Sequence, residues 1–282
     1  MSTSAKSFPI WAFLSLLTNG VLVLAIILLF LRQHGMTDLF RKAPTSNQIN
    51  IEAPQLGERH QLNYKQWVDI LAREAKVVAE QRPQHLTILL GDSLSLWFPS
   101  ELLPEERTWL NQGISGETST GLLKRLNLFD RTQPETIFIM IGINDLIRGV
   151  ESSKILDNHR QIIAYLKRKH PKSQIVVQSI LPHGGEEATW EGKEKLLAIP
   201  NNWIRELNQQ LQTIAIQEGI KYLDLHPLFV NKQGNIRLDL STDGLHLSKD
   251  GYLVWRSALQ LYSGLELNSI PAMRSLPTSG EG

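Results

Sequence analysis

The apolar and polar residues between positions 64 and 262 follow two patterns in turn. Apolar residues at helical spacing predict helices over 64–81, 120–129, 152–170, 203–217 and 248–262. Short apolar runs between them predict strands over 86–90, around Trp109, and over 136–141, 174–181 and 220–225. Strands separated by helices are typical of a parallel sheet that is covered on both faces. In such sheets ligands bind beyond the carboxyl ends of the strands, so the residues that follow each strand are the candidates for chemistry.

The N-terminal segment has a different pattern. Residues 7–31 contain no Lys, Arg, Asp or Glu, and residues 21–31 are all apolar. About 20 apolar residues span the ~30 Å hydrocarbon core of a bilayer. The apolar region of a cleaved signal peptide is usually shorter, roughly 7–15 residues, and ends at small residues, whereas this run ends at Phe30-Leu31-Arg32. The pattern predicts an uncleaved transmembrane anchor over 1–31, and a cleaved signal or a buried helix are the alternatives.

Two segments lack periodicity. Residues 32–61 and 265–282 are rich in Gly, Pro, Ser and Asn, which is typical of a linker and of a disordered tail. One domain over 62–264 is therefore expected between them.

Composition narrows the classes of function. Lys and Arg number 29 against 28 Asp and Glu, so the chain has no basic field and no nucleic-acid partner is expected. The absence of cysteine excludes a disulfide scaffold, a thiol nucleophile and a Cys-ligated zinc. No glycine-rich phosphate-binding loop is present, so no nucleotide cofactor is expected.

Four blocks of polar residues and glycines lie at or near the predicted strand ends. They are Gly91-Asp92-Ser93-Leu94-Ser95, residues 111–118 (NQGISGET), Gly142-Ile143-Asn144-Asp145, and residues 243–248 (DGLHLS). Each block alone is an ordinary turn, strand-to-helix corner or helix cap. Their order and their shared position at strand ends make a common site the better interpretation.

These blocks contain the groups that hydrolysis by a serine requires. A hydroxyl becomes a nucleophile when an imidazole takes its proton, and a carboxylate orients that imidazole. Ser93 can supply the hydroxyl, His246 the base and Asp243 the carboxylate. Preorganised donors must also stabilise the oxyanion of the tetrahedral intermediate. The backbone N–H groups of Ser93 and Gly116 and the side-chain amide of Asn144 are the candidates.

The set resembles the SGNH hydrolases, also called GDSL esterases and lipases, and within them the branch of thioesterase I and lysophospholipase L1. The resemblance covers roughly residues 86–262 and matches the nucleophile Ser93, the glycine Gly116, the asparagine Asn144 and the pair Asp243 and His246. It implies a flavodoxin-like α/β/α sandwich with about five parallel strands. It also implies hydrolysis of ester or thioester bonds without a metal.

Competing sites are less well supported by the residues. An α/β-hydrolase needs Gly-x-Ser-x-Gly, but position 95 is Ser and position 117 is Glu. A metal site built on Asp224, His226, Asp243 and His246 would need further ligands, and no His-Glu-x-x-His spacing is present.

Three other side chains have structural interpretations. Asp92 and Asp145 are expected to bond backbone groups within their turns. Trp190 lies in a long loop after a predicted strand, where it either contacts an acyl chain or packs on its own loop.

The chain is therefore predicted to be a membrane-anchored serine hydrolase that cleaves a small-molecule or lipid ester through an acyl-enzyme. A carbohydrate O-acetylesterase is the first alternative, and a catalytically idle, anchored binding domain is the second. The charges flanking the anchor favour a cytoplasmic domain. The common use of the family at cell envelopes favours the opposite side, and the prediction leans extracytoplasmic.

Overall fold

Five parallel strands form the centre of residues 62–267, the part of the chain that the computed structural model describes. The strands are β1 (Leu86–Gly91), β2 (Thr108–Gly113), β3 (Thr136–Met140), β4 (Gln174–Gln178) and β5 (Lys221–Leu223). Their order across the sheet is β2-β1-β3-β4-β5, and every neighbouring pair is parallel. This is the order of flavodoxin-like doubly wound sheets, in which the chain switches direction between β1 and β3.

The helices lie before, between and after these strands. They are α1 (Tyr64–Gln81), α2 (Ser93–Leu96), α3 (Ser119–Lys124), α4 (Ile143–Ile147), α5 (Ser152–Lys169), α6 (Lys193–Leu197), α7 (Asn201–Gln217), α8 (His226–Phe229) and α9 (Lys249–Tyr262). A π-helical turn, Ser263–Leu267, follows α9.

Two apolar cores cover the two faces of the sheet. Every residue of β1 and β3 is buried, as expected for central parallel strands. Alternate residues point to opposite faces, so Ile88 joins one core with α1, α5 and α7 while Leu89 joins the other with α9. The prediction of an α/β fold with about five parallel strands is confirmed.

The predicted elements differ from the observed ones mainly at one helix. The segment 120–129 is divided into α3 and a 3-10 turn, Leu126–Phe129. Arg125 lies between the two pieces with non-helical backbone angles, and its side chain is buried. The short helices α2, α4, α6 and α8 were not predicted, because four or five residues are too few to show a helical period.

Within residues 62–267, no helix has the length and apolar character needed to cross a bilayer. The predicted anchor over 1–31 and the linker over 32–61 lie outside the described residues, as does the tail from residue 268 onward.

Candidate active site

The turn after β1 places Ser93 at the carboxyl end of the sheet. Asp92 caps α2 by accepting a hydrogen bond from the N–H of Leu94 at 3.0 Å. Gly91 has to be glycine, because an added Cβ would lie 2.5 Å from the carbonyl oxygen of Met140. Ser93 is then the first residue of α2, with 6% of its surface exposed.

The loop after β2 brings Gly116 to the same end of the sheet. Gly113, the last residue of β2, packs directly on the backbone of α2 and has no room for a side chain. Gly116 has a φ of +71°, which favours glycine, and its carbonyl accepts a hydrogen bond from Arg148 at 2.6 Å. No hydrogen bond from the N–H of Ser93 or of Gly116 to a protein acceptor occurs in the described part of the chain.

The loop after β3 presents an unused donor. Asn144 lies in the first turn of α4, and its amide nitrogen Nδ2 is buried without a hydrogen-bond partner among the described residues. Buried polar atoms without partners are uncommon in native proteins and call for an explanation. An oxyanion of a bound substrate would supply the missing acceptor.

Asp145 joins the loop after β3 to the loop after β2. Its carboxylate accepts hydrogen bonds from the backbone N–H of Ser119 at 2.8 Å and from its hydroxyl at 2.6 Å. Asn158 of α5 also donates to the Ser119 hydroxyl, at 2.8 Å. Burial raises the pKa of Asp145, although the bonds from Ser119 oppose that shift. Asp145 thus has a structural role, but the prediction that it bonds within its own turn is wrong, because its carboxylate bonds Ser119 of the neighbouring loop.

A buried ion pair lies directly after Gly116, and sequence reasoning missed it. Arg125 Nε donates to Glu117 at 2.7 Å, and both side chains are only 3% exposed. The Arg125 guanidinium also reaches the carbonyl of Gly91 at 3.4 Å, and the Tyr64 hydroxyl lies 3.4 Å from Glu117. Burial, followed by the charge of Glu117, raises the pKa of Tyr64. The only signal in the sequence was a charged residue within an apolar helix face, which is too common to be specific.

Asp243 and His246 form the predicted pair. His246 Nδ1 lies 2.8 Å from Asp243 Oδ2, while Asp243 Oδ1 accepts the backbone N–H groups of Leu245 at 2.9 Å and of His246 at 2.8 Å. Burial by itself would raise the pKa of Asp243, but these hydrogen bonds outweigh it and hold the pKa below its ordinary value. An ionised Asp243 therefore accepts from the Nδ1–H of His246 and leaves Nε2 for a substrate or a hydroxyl.

The loop after β4 holds the Asp243 loop in place. The backbone N–H groups of Thr189 and Trp190 both donate to the Asp243 carbonyl, at 2.8 and 2.9 Å. The Trp190 ring packs on the main apolar core, and Gly192 lies directly against it. Of the two interpretations of Trp190, packing on its own loop is the one this arrangement favours.

Aromatic packing brings the two ends of the site together. The Phe98 ring centre lies 5.1 Å from that of Tyr252 and 5.0 Å from that of Trp255, and the Tyr252 hydroxyl donates to the Leu94 carbonyl at 3.1 Å. These contacts fasten α9 to the segment that begins at Ser93. As a result, the His246 ring contacts Trp97, at 4.4 Å between ring centres.

The alternative metal site is not assembled in the described residues. Among residues 62–267, no three His, Asp or Glu side chains are grouped so that they could hold a metal ion. The backbone N–H of His226 bonds to Asp224 at 3.2 Å and to the Ser179 hydroxyl at 2.8 Å, as in a local turn at the start of α8.

Comparison with known proteins gives one family match and several distant relatives. The model of the GDSL-like lipase/acylhydrolase family matches residues 88–254, more than half of the chain. Platelet-activating factor acetylhydrolase IB subunit alpha1 from Homo sapiens is 24% identical over 202 residues, which are 66% of this chain and 78% of that protein. N-acylneuraminate cytidylyltransferase from Streptococcus agalactiae serotype V is 26% identical over 175 residues, 62% of this chain. The matched region spans only 38% of the length of the cytidylyltransferase, so the similarity is to a part of it.

The solved structures agree on the fold. A Streptococcus pneumonia protein described as a platelet activating factor superposes with a TM-score of 0.63 at 25% identity. The superposition covers 70% of this chain and 93% of that protein.

Proposed function

The chain belongs to the GDSL-like lipase/acylhydrolase family, and on that premise we propose that it cleaves carboxylic esters or thioesters through an acyl-enzyme formed on Ser93. The family as a whole consists of ester hydrolases, as its description indicates. What we propose beyond the family is the mechanism, the role of each residue and the substrate.

In the first step His246 acts as general base. Its Nε2 takes the proton of the Ser93 hydroxyl while Oγ attacks the carbonyl carbon of the ester. The carbonyl oxygen becomes an oxyanion, which accepts hydrogen bonds from the N–H groups of Ser93 and Gly116 and from Asn144 Nδ2. His246 then gives its proton to the leaving oxygen or sulfur, the bond to the acyl carbon breaks, and the acyl group stays on Ser93.

In the second step water replaces the leaving group. His246 takes a proton from the water, whose oxygen attacks the acyl carbon of the Ser93 ester. The second tetrahedral intermediate collapses, His246 returns the proton to Ser93 Oγ, and the carboxylic acid leaves. Asp243 remains ionised throughout and stabilises the imidazolium that forms in each step.

The contact between His246 and the segment that carries Ser93 is the observation that supports this mechanism most directly. His246 is oriented by Asp243 at 2.8 Å and packs on Trp97, one turn beyond Ser93. The contact brings His246 to the end of the short helix α2 that begins at Ser93, although about 150 positions separate the two segments in the chain.

A test of the mechanism uses nitrophenyl acetate and a fluorophosphonate probe. Ser93→Ala is expected to abolish both turnover and labelling, since the hydroxyl is the acceptor of both groups. His246→Ala should lower turnover by a comparable factor, at least about 10³-fold. Labelling of the unmodified chain excludes the idle binding domain, whereas unchanged turnover in Ser93→Ala contradicts the proposal.

One relative points to a short acyl group on the substrate. The name of the human relative specifies acetyl hydrolysis from platelet-activating factor, and the chain matches 78% of that protein. A carbohydrate O-acetylesterase is the second candidate, and the name of the streptococcal relative does not bear on it, since the acyl group of N-acylneuraminate is joined through nitrogen and the match covers 38% of that protein. A series of acyl-chain lengths on a glycerol ether and on a sugar separates the two.

Two further parts of the proposal have simple tests. Hydrolysis without a metal predicts that turnover survives dialysis against EDTA. Loss of turnover, with recovery when a divalent ion is added, contradicts this.

An anchor over 1–31 predicts that the full chain stays in the membrane pellet after alkaline carbonate washing. A variant that begins at residue 62 should be released, and protease treatment of intact cells shows on which side the domain lies.

A further inference from the structure

Trp97 is an exposed aromatic residue that directly follows the short helix α2. It keeps 38% of its surface exposed, while Leu94, three positions before it, and Phe98, directly after it, are each 4% exposed and belong to the apolar core. Its backbone N–H ends α2 by donating to the Ser93 carbonyl at 2.9 Å. The backbone of Trp97 is thus fixed relative to Ser93, while part of its indole faces solvent.

The covered part of the indole lies on His246. The two ring centres are 4.4 Å apart and the rings are tilted by 45°, which is direct van der Waals contact. His246 in turn is held from its other side by Asp243. The indole and the imidazole therefore form one continuous surface at the end of the short helix that begins at Ser93.

The mechanism decides which half of a substrate meets that surface. The leaving oxygen takes its proton from His246, so it must come within about 2.6–3.2 Å of the imidazole. The carbonyl oxygen lies elsewhere, at the donors of the loops after β2 and β3. The carbon atoms attached to the leaving oxygen consequently lie near the indole.

We propose that Trp97 is the aromatic wall of the leaving-group subsite, and that it selects alcohols whose carbon skeleton can lie flat on the indole, such as a ring alcohol. This inference rests on the proposed ester hydrolysis at Ser93. It concerns the alcohol half of the substrate, whereas acyl-chain selection belongs to other surfaces of the site.

The test compares esters that differ in one half only. Ethyl acetate and cyclohexyl acetate share the acyl group and have alcohols of similar acidity, so their ratio of kcat/KM reports contact with the alcohol. Ethyl acetate and ethyl hexanoate share the alcohol and report contact with the acyl chain. Trp97→Leu is expected to lower the cyclohexyl-to-ethyl ratio about tenfold, mainly through KM, because a hydrophobic subsite of this kind contributes roughly 10- to 200-fold. The hexanoate-to-acetate ratio should not change.

Two further variants serve as controls for Trp97→Leu. Trp97→Phe retains a flat ring and should keep most of the cyclohexyl preference. Trp203→Leu removes another exposed tryptophan, 52% exposed on α7, and should leave both ratios unchanged. The stoichiometry of fluorophosphonate labelling shows that each variant still has an intact nucleophile.

Each outcome of this test either supports or overturns the proposed leaving-group subsite. An equal loss on both acetates means that Trp97 only supports His246 and overturns the subsite, as does an unchanged cyclohexyl-to-ethyl ratio. A change in the acyl ratio alone places the indole on the wrong half of the substrate and also overturns it. If the unmodified chain hydrolyses no ester and takes up no probe, the proposed function itself has failed. That result differs from a failure of the subsite alone.

Discussion

The two sides of the site are held in place by different physical means. On the oxyanion side, the loops with Gly116 and Asn144 rest on buried polar groups, namely the Glu117–Arg125 pair and the bonds from Ser119 to Asp145. On the histidine side, the loop with Asp243 and His246 is fastened by backbone hydrogen bonds and by aromatic packing of α9.

The difference follows from what each side does in the proposed reaction. Donors to an oxyanion must stay fixed, and buried, paired polar groups provide that rigidity. A general base must gain and lose a proton in every cycle. The side chains of His246 and Asp243 keep 13% and 26% of their surface exposed, so this pair stays in contact with solvent. The fixed donors and the group that exchanges protons thus lie on different sides of the site.

The largest expected effect comes from breaking the buried pair. Glu117→Ala leaves the Arg125 charge buried and unpaired, so the free energy of unfolding should fall by about 3–5 kcal/mol. Urea unfolding followed by circular dichroism measures it. Asp157→Ala is the matched control, because its pair with Arg160 is exposed and should contribute at most about 1 kcal/mol. Similar losses in both variants would show that the buried Glu117–Arg125 pair does not support the oxyanion side more than an exposed pair would.

Asn144→Ala tests the oxyanion side without disturbing its support. The buried Nδ2 has no partner to lose among residues 62–267, so the melting temperature should change little. Removing one preorganised donor should lower kcat by roughly 10²–10³-fold. Turnover equal to that of the unmodified chain would show that Asn144 makes no contact with the reacting oxygen.

Asp243→Asn tests the histidine side and should have a smaller effect than Ser93→Ala. The asparagine oxygen can still accept the N–H groups of Leu245 and His246, so the loop should keep its shape. The charge that stabilises the imidazolium is lost and the amide N–H faces Nδ1, which favours the wrong imidazole tautomer, so kcat should fall by about 10³- to 10⁴-fold. A loss as large as that of Ser93→Ala would show that this carboxylate does more than orient and stabilise the imidazole.

Asp92→Asn should raise the stability of the chain, unlike the other changes, and the effect should grow with pH. Burial, followed by the charges of Asp145 and Glu117, raises the pKa of Asp92 to about 7 against the hydrogen bond from Leu94. The folded state therefore holds the proton more tightly than the unfolded state. Ionisation costs no stability below about pH 4, and its cost grows to its full value above about pH 7.

The variant keeps an oxygen acceptor for Leu94 and removes that cost. Asp92→Asn should gain up to about 4 kcal/mol relative to the unmodified chain between pH 4 and pH 8, since the pKa of Asp92 rises from 3.8 to about 7 on folding. Melting temperatures of both proteins across that range measure the effect. A difference that does not depend on pH would show that folding does not raise the pKa of Asp92.

The local pattern of apolar and polar residues predicts much of the fold. Helix α1 has the predicted bounds because Asn63 and Gln66 cap its start and Pro83 follows its end. The strands were readable because buried parallel strands are continuous apolar runs. The segment 120–129 was predicted less well, since the apolar spacing continues through Arg125 while the burial of its side chain interrupts the helix.

The candidate site likewise has a part that the sequence predicts and a part that it does not. Local sequence was enough to predict the long helices, the strands and the position of Ser93, Gly116, Asn144 and His246 at strand ends or before the last helix, because each depends on residues within a few positions. Tertiary packing places Trp97 on His246, pairs Arg125 with Glu117 and joins two loops through Asp145. Trp97 and His246 are 149 positions apart and Ser119 and Asp145 are 26 apart, so no local period relates them. Glu117 and Arg125 are only eight positions apart, but the break between α3 and the 3-10 turn, where Arg125 lies, does not show in the apolar spacing. The packing of both sheet faces sets which of these side chains meet.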